Sequence, residues 1–168
     1  DLGSFFPGNE PREPATLVIT GKMSYHANVT AVLHLVRDIM PLVWATRPEV
    51  RLWVVGKDPP PALRALASAR VTITGTVPAI RPYLQRATLA VVPLPYGAGV
   101  QNKVLEAMAC ETPVVAMPPA VAGLRARPEQ DLLVRDGAQP FARDRKSTRL
   151  NSTLCAFSTT ASMSIEWT

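Results

Sequence analysis

Lys103 and Glu106 are two charged side chains three residues apart in a segment with helical periodicity. That spacing places both on one helix face, opposite an apolar stripe formed by Val100, Val104 and Met108. A carboxylate can accept hydrogen bonds from both hydroxyls of a ribose, and an ammonium can neutralise a phosphate. The alternative is a solvated face with an ion pair worth about 0.2–0.5 kcal/mol. Residue type and spacing alone leave both interpretations open.

A glycine-containing turn, 93–100, leads directly into that helix and includes Gly97, Ala98, Gly99 and Val100. Backbone N–H groups and the positive end of a helix dipole at such a turn can bind an anion. The turn is therefore a candidate diphosphate cradle, and the alternative is simply a tight strand-to-helix connection.

Three apolar runs end in glycine, at Gly21 (followed by Lys22), Gly56 and Gly75. Glycine allows a sharp turn and a close approach of backbone to a ligand. A single strand-ending glycine usually marks an ordinary turn. Three of them along one sheet edge predict a shared crevice, because ligands of parallel sheets bind beyond the carboxyl ends of the strands.

The elements that would position these residues alternate along the chain. β-branched apolar runs predict strands buried on both faces, over 16–20, 50–55, 71–74, 89–92, 113–117 and, as a possible sixth, 132–134. Helical patterns lie between them, over 29–43 with a kink or restart at Pro41, 61–69, 78–86 with Pro78 in the first turn, and 100–108. The sequence therefore predicts an α/β fold with a doubly wound, Rossmann-like parallel sheet.

Composition narrows the classes of protein. The 47% hydrophobic content suits one globular domain, and the net charge of +5 comes from scattered basic residues that form no nucleic-acid patch. Cys110 and Cys155 are too few for a disulfide framework or a metal cluster. No signal peptide or membrane-spanning run is visible. We expect a cytoplasmic protein, with peripheral association at the inner membrane face as an option.

The chain changes character near residue 143. All 17 prolines and all 9 glycines precede residue 141, and the rest is rich in Ser and Thr. The stretch 144–152 resembles one reading frame of a sequencing-library adapter. The sequence therefore predicts one domain over 1–142, followed by a non-native or disordered tail over 143–168.

The segment 102–115, NKVLEAMACETPVV, resembles the donor-site signature of group 1 (family 4) retaining glycosyltransferases. The similarity continues through 18–21, 54–56 and 75–77 and covers 1–142. The lead-in GVQNK (99–103) resembles, more narrowly, exopolysaccharide sugar transferases associated with exosortase. The resemblance implies the C-terminal half of a GT-B fold, truncated at both ends. The N-terminal acceptor domain would be missing, and the fragment alone would be inactive.

The resemblance also implies roles for individual residues. Glu106 would bind the ribose, Gly21 and Lys22 would lie beside the diphosphate, and Thr76 and Val77 would line the base pocket. The turn from Gly97 to Val100 would meet the distal phosphate and the sugar. The donor would be a nucleotide-diphosphate sugar and the acceptor a glycan or lipid-linked molecule. No cofactor, metal or catalytic side chain is implied within this chain.

Three positions depart from the family pattern. Ala98 stands where the family often has a glutamate that contacts the sugar. Asn28 stands where a basic residue is common, which suggests Lys103 as the second cation. Glu111 stands where a glycine commonly ends the signature helix in a left-handed conformation.

Other functions remain as alternatives to transfer. A nicotinamide-dependent oxidoreductase is disfavoured because the first strand is not followed by G-x-G-x-x-G. A non-catalytic binding or signalling domain would need no phosphate cradle, whereas a non-catalytic nucleotide-binding domain would share the cradle without the transfer. A sugar-nucleotide epimerase shares the GT-B fold, and the Glu106 helix favours transfer over it. His34 is interpreted as structural, and His26 as a residue that could approach the ligand.

Overall fold

The computed structural model describes residues 2–97 and 100–143. Six strands form a single sheet in the order β3-β2-β1-β4-β5-β6, and every neighbouring pair is parallel. The strands are β1 (Glu13–Thr20), β2 (Arg51–Val55), β3 (Val71–Gly75), β4 (Ala87–Val92), β5 (Val114–Ala116) and β6 (Leu133–Val134). The predicted fold class is confirmed, and so is the sixth strand.

The strand order reverses between β1 and β4, which are adjacent although β2 and β3 separate them in sequence. Chain connections run in opposite directions from this point, so a crevice opens above the carboxyl ends of the two strands. The segments that follow β1 and β4 are the ones the sequence singled out as the site.

Seven helices cover the sheet in the described part of the chain. They are α1 (His26–His34), α2 (Met40–Trp44), α3 (Pro61–Arg64), α4 (Arg81–Arg86), α5 (Asn102–Ala109), α6 (Pro118–Val121) and α7 (Ala138–Arg143). A short 3₁₀ turn, Leu2–Ser4, precedes them.

The long helical pattern at 29–43 is interrupted as predicted. A π-helical segment, Leu35–Ile39, links α1 to α2, and the Met40 N–H donates to the Leu35 carbonyl five residues back. Pro41 follows at once, in the first turn of α2. Because proline has no N–H and its ring crowds the preceding turn, the wider π turn accommodates it.

Two other helix predictions are corrected. Helix α4, predicted to begin at Pro78, begins at Arg81, so Pro82 occupies its first turn. The helix that carries Lys103 begins at Asn102, which leaves Val100 outside it and 47% exposed. Val104 is fully buried as predicted, Met108 packs partly buried against the core, and Ala107 is fully buried beside them. The predicted apolar stripe of α5 is therefore wrong only at Val100, whose place is taken by Ala107.

The core lies between the sheet and its helices. Its central side chains come from both faces of the inner strands, as expected for a parallel sheet covered on both sides. At most 1% of the surface of each of four such residues is exposed: Val18, Leu52, Val54 and Val91.

Helix α5 ends in a Schellman motif. The Thr112 N–H donates to the Ala107 carbonyl and the Glu111 N–H to the Met108 carbonyl, both at 2.9 Å. Glu111 adopts the left-handed conformation, with φ of 54°. The family's glycine position thus keeps its glycine-like backbone here, although a side chain there costs conformational energy.

Arg12 connects this end of α5 to the end of α4 and the start of β4. Its guanidinium donates, over 2.8 to 3.3 Å, to the carbonyls of Leu84, Gln85, Ala87, Cys110 and Glu111 and to the Thr112 hydroxyl. A guanidinium has five N–H donors in a fixed plane, so one side chain can satisfy several carbonyls at once. Arg12 therefore fixes the C-terminal end of α5.

Candidate functional site

The crevice between β1 and β4 brings together most of the residues predicted from sequence. Gly21 and Lys22 form the turn after β1, and Gly97 lies in the loop after β4. Lys103 and Glu106 lie in the first two turns of α5, the next helix. Ala98 and Gly99, predicted to contact the donor, lie outside the described residues.

The two glycines after β1 and β2 pack directly against each other. A Cβ atom on Gly56 would lie 1.7 Å from the Gly21 carbonyl oxygen, and Gly56 has a φ of +155°. The Gly21 N–H donates to the Val55 carbonyl at 3.1 Å, and the Met23 N–H to the Lys57 carbonyl at 2.8 Å. The close approach that Gly56 permits is thus one between two parts of the protein, and it fixes the floor of the crevice.

Asn28, near the start of α1, connects the turn after β1 to α5. Its side-chain Nδ2 donates to the Lys22 carbonyl at 2.9 Å, and its Oδ1 accepts from the Lys103 ammonium. Asn28 is only 6% exposed. A Cβ on Gly21 would lie 2.7 Å from the Asn28 Nδ2, so glycine there makes room for the amide. Sequence patterns singled out Asn28 only as a departure from the family.

Burial perturbs both charged groups of α5. Desolvation lowers the pKa of Lys103 to about 8, against a smaller opposing effect of the Glu106 charge. Desolvation also raises the pKa of Glu106, and the Lys103 charge partly offsets that rise. Burial thus disfavours the charged state of each group, so a ligand that supplies opposite charge or hydrogen bonds would gain most here.

The solvated ion pair considered as the alternative for these residues is absent. Lys103 and Glu106 are both half-buried, and no salt bridge within 4 Å joins them among the described residues. In the same part of the chain, no protein hydrogen bond engages the Glu106 carboxylate. Lys103 instead turns to Asn28.

Tyr96 ties the loop after β4 to helix α1. Its hydroxyl hydrogen-bonds the Nδ1 of His26 and lies 3.0 Å from the Thr30 hydroxyl. The Tyr96 and His26 rings are also close, with centroids 5.9 Å apart. Sequence analysis gave His26 a possible approach to the ligand and missed Tyr96 and Thr30. The signal that could have identified Tyr96 is its position as an aromatic residue inside the glycine-containing turn 93–100.

An open cleft of about 280 Å³ lies beyond the ends of β2 and β3. Its walls are formed by Asp58, Pro59, Arg64, Ile73, Thr74, Gly75 and Thr76. Thr76, predicted to line a base pocket, is one of these residues. Val77, its predicted partner, packs against the hydrophobic core.

The described residues contain no group of three or more His, Cys, Asp or Glu side chains arranged to hold a metal ion. They also contain no helix that is long and apolar enough to cross a membrane.

Several solved structures share this fold. The sucrose-phosphate synthase of Thermosynechococcus elongatus is 23% identical, with a TM-score of 0.66 over 92% of this chain and 42% of that one. HepE of Anabaena, in complex with UDP and glucose, is 16% identical, with a TM-score of 0.59 over 87% and 44%. The fold is that of a Rossmann-like domain of GT-B glycosyltransferases.

A third structure with this fold is a single domain. The C-terminal domain of LpcC, a group 1 family glycosyl transferase of Francisella tularensis, is 12% identical, with a TM-score of 0.61. The alignment covers 95% of this chain and 89% of that domain. By contrast, the chain spans only 30% of TarM and under half of the synthase and of HepE.

Sequence comparison gives the family. No curated protein matches the chain. The family model of glycosyl transferases group 1 matches residues 14–146, which is well over half of the chain and includes the crevice, α5 and the cleft. The chain therefore belongs to the group 1 glycosyl transferases.

Proposed function

We propose that this chain binds a nucleotide-diphosphate sugar in the crevice between β1 and β4 and presents it for transfer. The observation that carries the proposal is the half-buried Glu106 carboxylate, which has no protein hydrogen-bond partner among the described residues and lies one turn from the Lys103 ammonium. Burying such groups is unfavourable unless a partner satisfies them. A ribose and a diphosphate would supply hydroxyl donors to Glu106 and anionic oxygens to Lys103.

We assign the remaining parts of the donor to the neighbouring segments. The base would enter the cleft beside Thr76, and the diphosphate would lie over Lys22 and Lys103. The distal phosphate and sugar would meet the loop from Gly97 to Val100. A uridine base is supported by the fold shared with HepE, which was solved with UDP and glucose.

The departing diphosphate carries the charge that develops during transfer. Preorganised cations and backbone N–H groups stabilise such charge more in the transition state than in the ground state. Lys22, Lys103 and the start of α5 would serve in this way. We assign no catalytic nucleophile or base to this chain.

The wider function is a retaining sugar transfer, of hexosyltransferase type, to a glycan or lipid-linked acceptor. An N-terminal domain outside this chain would hold that acceptor, so the chain alone would be inactive. We place the reaction in bacterial surface polysaccharide synthesis, at the cytoplasmic side of the inner membrane.

Calorimetry with UDP, UMP, GDP and GMP tests the donor site. We expect one diphosphate to bind at least tenfold more tightly than its monophosphate, because the second phosphate adds charge-assisted hydrogen bonds. UDP and GDP together identify the base. Equal affinity for diphosphate and monophosphate would remove the evidence for the cradle, and no nucleotide binding would refute the donor site.

A further inference from the structure

We infer that Asn28 is a positioning residue that holds the Lys103 ammonium at the turn after β1. The inference rests on the proposed donor site and deepens it. Lys22 is the first cation proposed for the diphosphate, and Lys103 on α5 is the second. Asn28 on α1 is a neutral amide at the position where the family often has a basic residue.

The hydrogen-bond geometry of Asn28 carries the inference. Its amide has one donor side and one acceptor side, and both are used. The donor side holds the Lys22 carbonyl at 2.9 Å, and the acceptor side receives the Lys103 ammonium. Three elements, the turn after β1, helix α1 and helix α5, therefore meet at one buried side chain.

The space for this amide is built into the backbone. Any side chain on Gly21 would collide with the Asn28 Nδ2, and the left-handed φ of Gly21 disfavours a side chain as well. The Lys22 carbonyl also accepts from the Tyr25 N–H at 3.1 Å, so we expect the turn to persist when the amide is lost. Asn28 thus contributes to the placement of Lys103 more than to the closure of the turn.

A long, flexible lysine needs such a partner. Without an acceptor, the half-buried ammonium would lose a hydrogen bond that favours its charged form, at a place where burial already lowers the pKa of Lys103 to about 8. The charged group acting on Lys103 among the described residues is Glu106 on its own helix. Asn28 from α1 is neutral, so it orients the ammonium without cancelling the charge that a diphosphate requires.

Two substitutions at Asn28 separate its effect on the Lys103 ammonium from its bond to the Lys22 carbonyl. Asn28→Leu and Asn28→Asp both lose the bond to the Lys22 carbonyl. Leucine removes the acceptor and should lower the Lys103 pKa, whereas aspartate adds a negative charge and should raise it. NMR titration of the lysine side chains measures both shifts. Thermal unfolding of each variant shows that it remains folded.

Ligand binding then tests the role at the site. UDP affinity is measured for the parent chain, Asn28→Leu, Lys103→Met and the double variant. We expect each single variant to lose about tenfold at pH 7, and the double variant to lose no more than Lys103→Met alone. The control variant is Arg51→Met, which removes an exposed positive charge at the start of β2, away from the carboxyl ends of the strands. It should bind UDP as the parent does.

The pH profile adds a readout that a purely structural role would leave unchanged. UDP affinity of the parent should fall by up to about tenfold between pH 7 and pH 9, as Lys103 loses its proton. In Asn28→Leu the decline should begin at lower pH. In Lys103→Met it should disappear.

Specific outcomes overturn the inference. Additive losses in the four-variant comparison would mean that Asn28 does not act through Lys103. An unchanged Lys103 titration in both Asn28 variants would contradict the placement directly. Absence of UDP and GDP binding by the parent would refute the donor site itself, while the titration would still decide whether Asn28 controls Lys103.

Discussion

The two ends of helix α5 are held in contrasting ways. At the C-terminal end, a Schellman motif and the Arg12 guanidinium engage the backbone carbonyls. At the N-terminal end, Gln101 makes no side-chain capping bond, and Val100 before it is 47% exposed. The half-buried Lys103 lies in the first turn, beside this second end, and the half-buried Glu106 lies one turn further along.

The contrast separates stability from binding along one short helix. Hydrogen bonds that are complete in the free protein stabilise the fold, whereas groups left partly unsatisfied at a crevice gain their partners from a ligand. Substitutions at the C-terminal end should therefore change the unfolding temperature, and those near the N-terminal end should change ligand affinity.

Arg12→Met should have the largest effect on stability. The methionine keeps much of the packing but leaves several carbonyls without their charged donor, at a cost of about 2–4 kcal/mol. Thermal unfolding should shift downward by roughly 5–15 °C for a domain of this size. UDP affinity, measured well below the transition, should stay close to that of the parent. An unchanged unfolding temperature would show that Arg12 does not fix the helix.

Tyr96→Phe should have a smaller effect, confined to the sugar end of the donor. Losing the hydroxyl removes the bonds to His26 and Thr30 that connect the loop to α1. A net hydrogen bond contributes about 0.5–1.5 kcal/mol, so UDP-glucose affinity should fall about two- to tenfold. Uridine affinity should not change, and an equal loss for both ligands would indicate a general disturbance of the crevice.

Glu111→Gly should have the smallest effect and the opposite sign. Glycine removes the left-handed strain at φ of 54° and should stabilise the chain by about 0.5–1 kcal/mol. Glu111→Ala is the matched control, because it shortens the side chain but keeps the strain. If alanine stabilises as much as glycine, the side chain rather than the backbone is responsible.

The fold was largely predictable because its signals are local. Short apolar runs, three of them ending in glycine and one in proline, predicted five strands and a possible sixth, and Pro41 predicted the interrupted helix. Helix starts were less predictable: Pro78 and Pro82 can both begin a helix, and tertiary packing selected Pro82.

The charged residues of the candidate crevice could be selected from the sequence, but the residues that contact them could not. The spacing of Lys103 and Glu106 places both on one face of a helix. The resemblance of their segment to a family signature suggested a ribose for Glu106 and a phosphate for Lys103. The bonds from Lys103 to Asn28 and from Tyr96 to His26 join residues 75 and 70 positions apart. Periodicity carries no information about such pairs, because they depend on how strands and helices pack.

The most direct test of the account is a comparison of two proteins with two ligands: the parent and Glu106→Gln, each with UDP and 2′-deoxy-UDP. If Glu106 accepts from the ribose, Glu106→Gln should weaken UDP binding on the order of tenfold, because the hydrogen bonds lose their charge. The fold should persist, since burial already disfavours the charged carboxylate. The 2′-deoxy ligand should lose much less affinity in Glu106→Gln than UDP does. Losses that simply add would contradict contact between Glu106 and the ribose, and with it the proposed donor site.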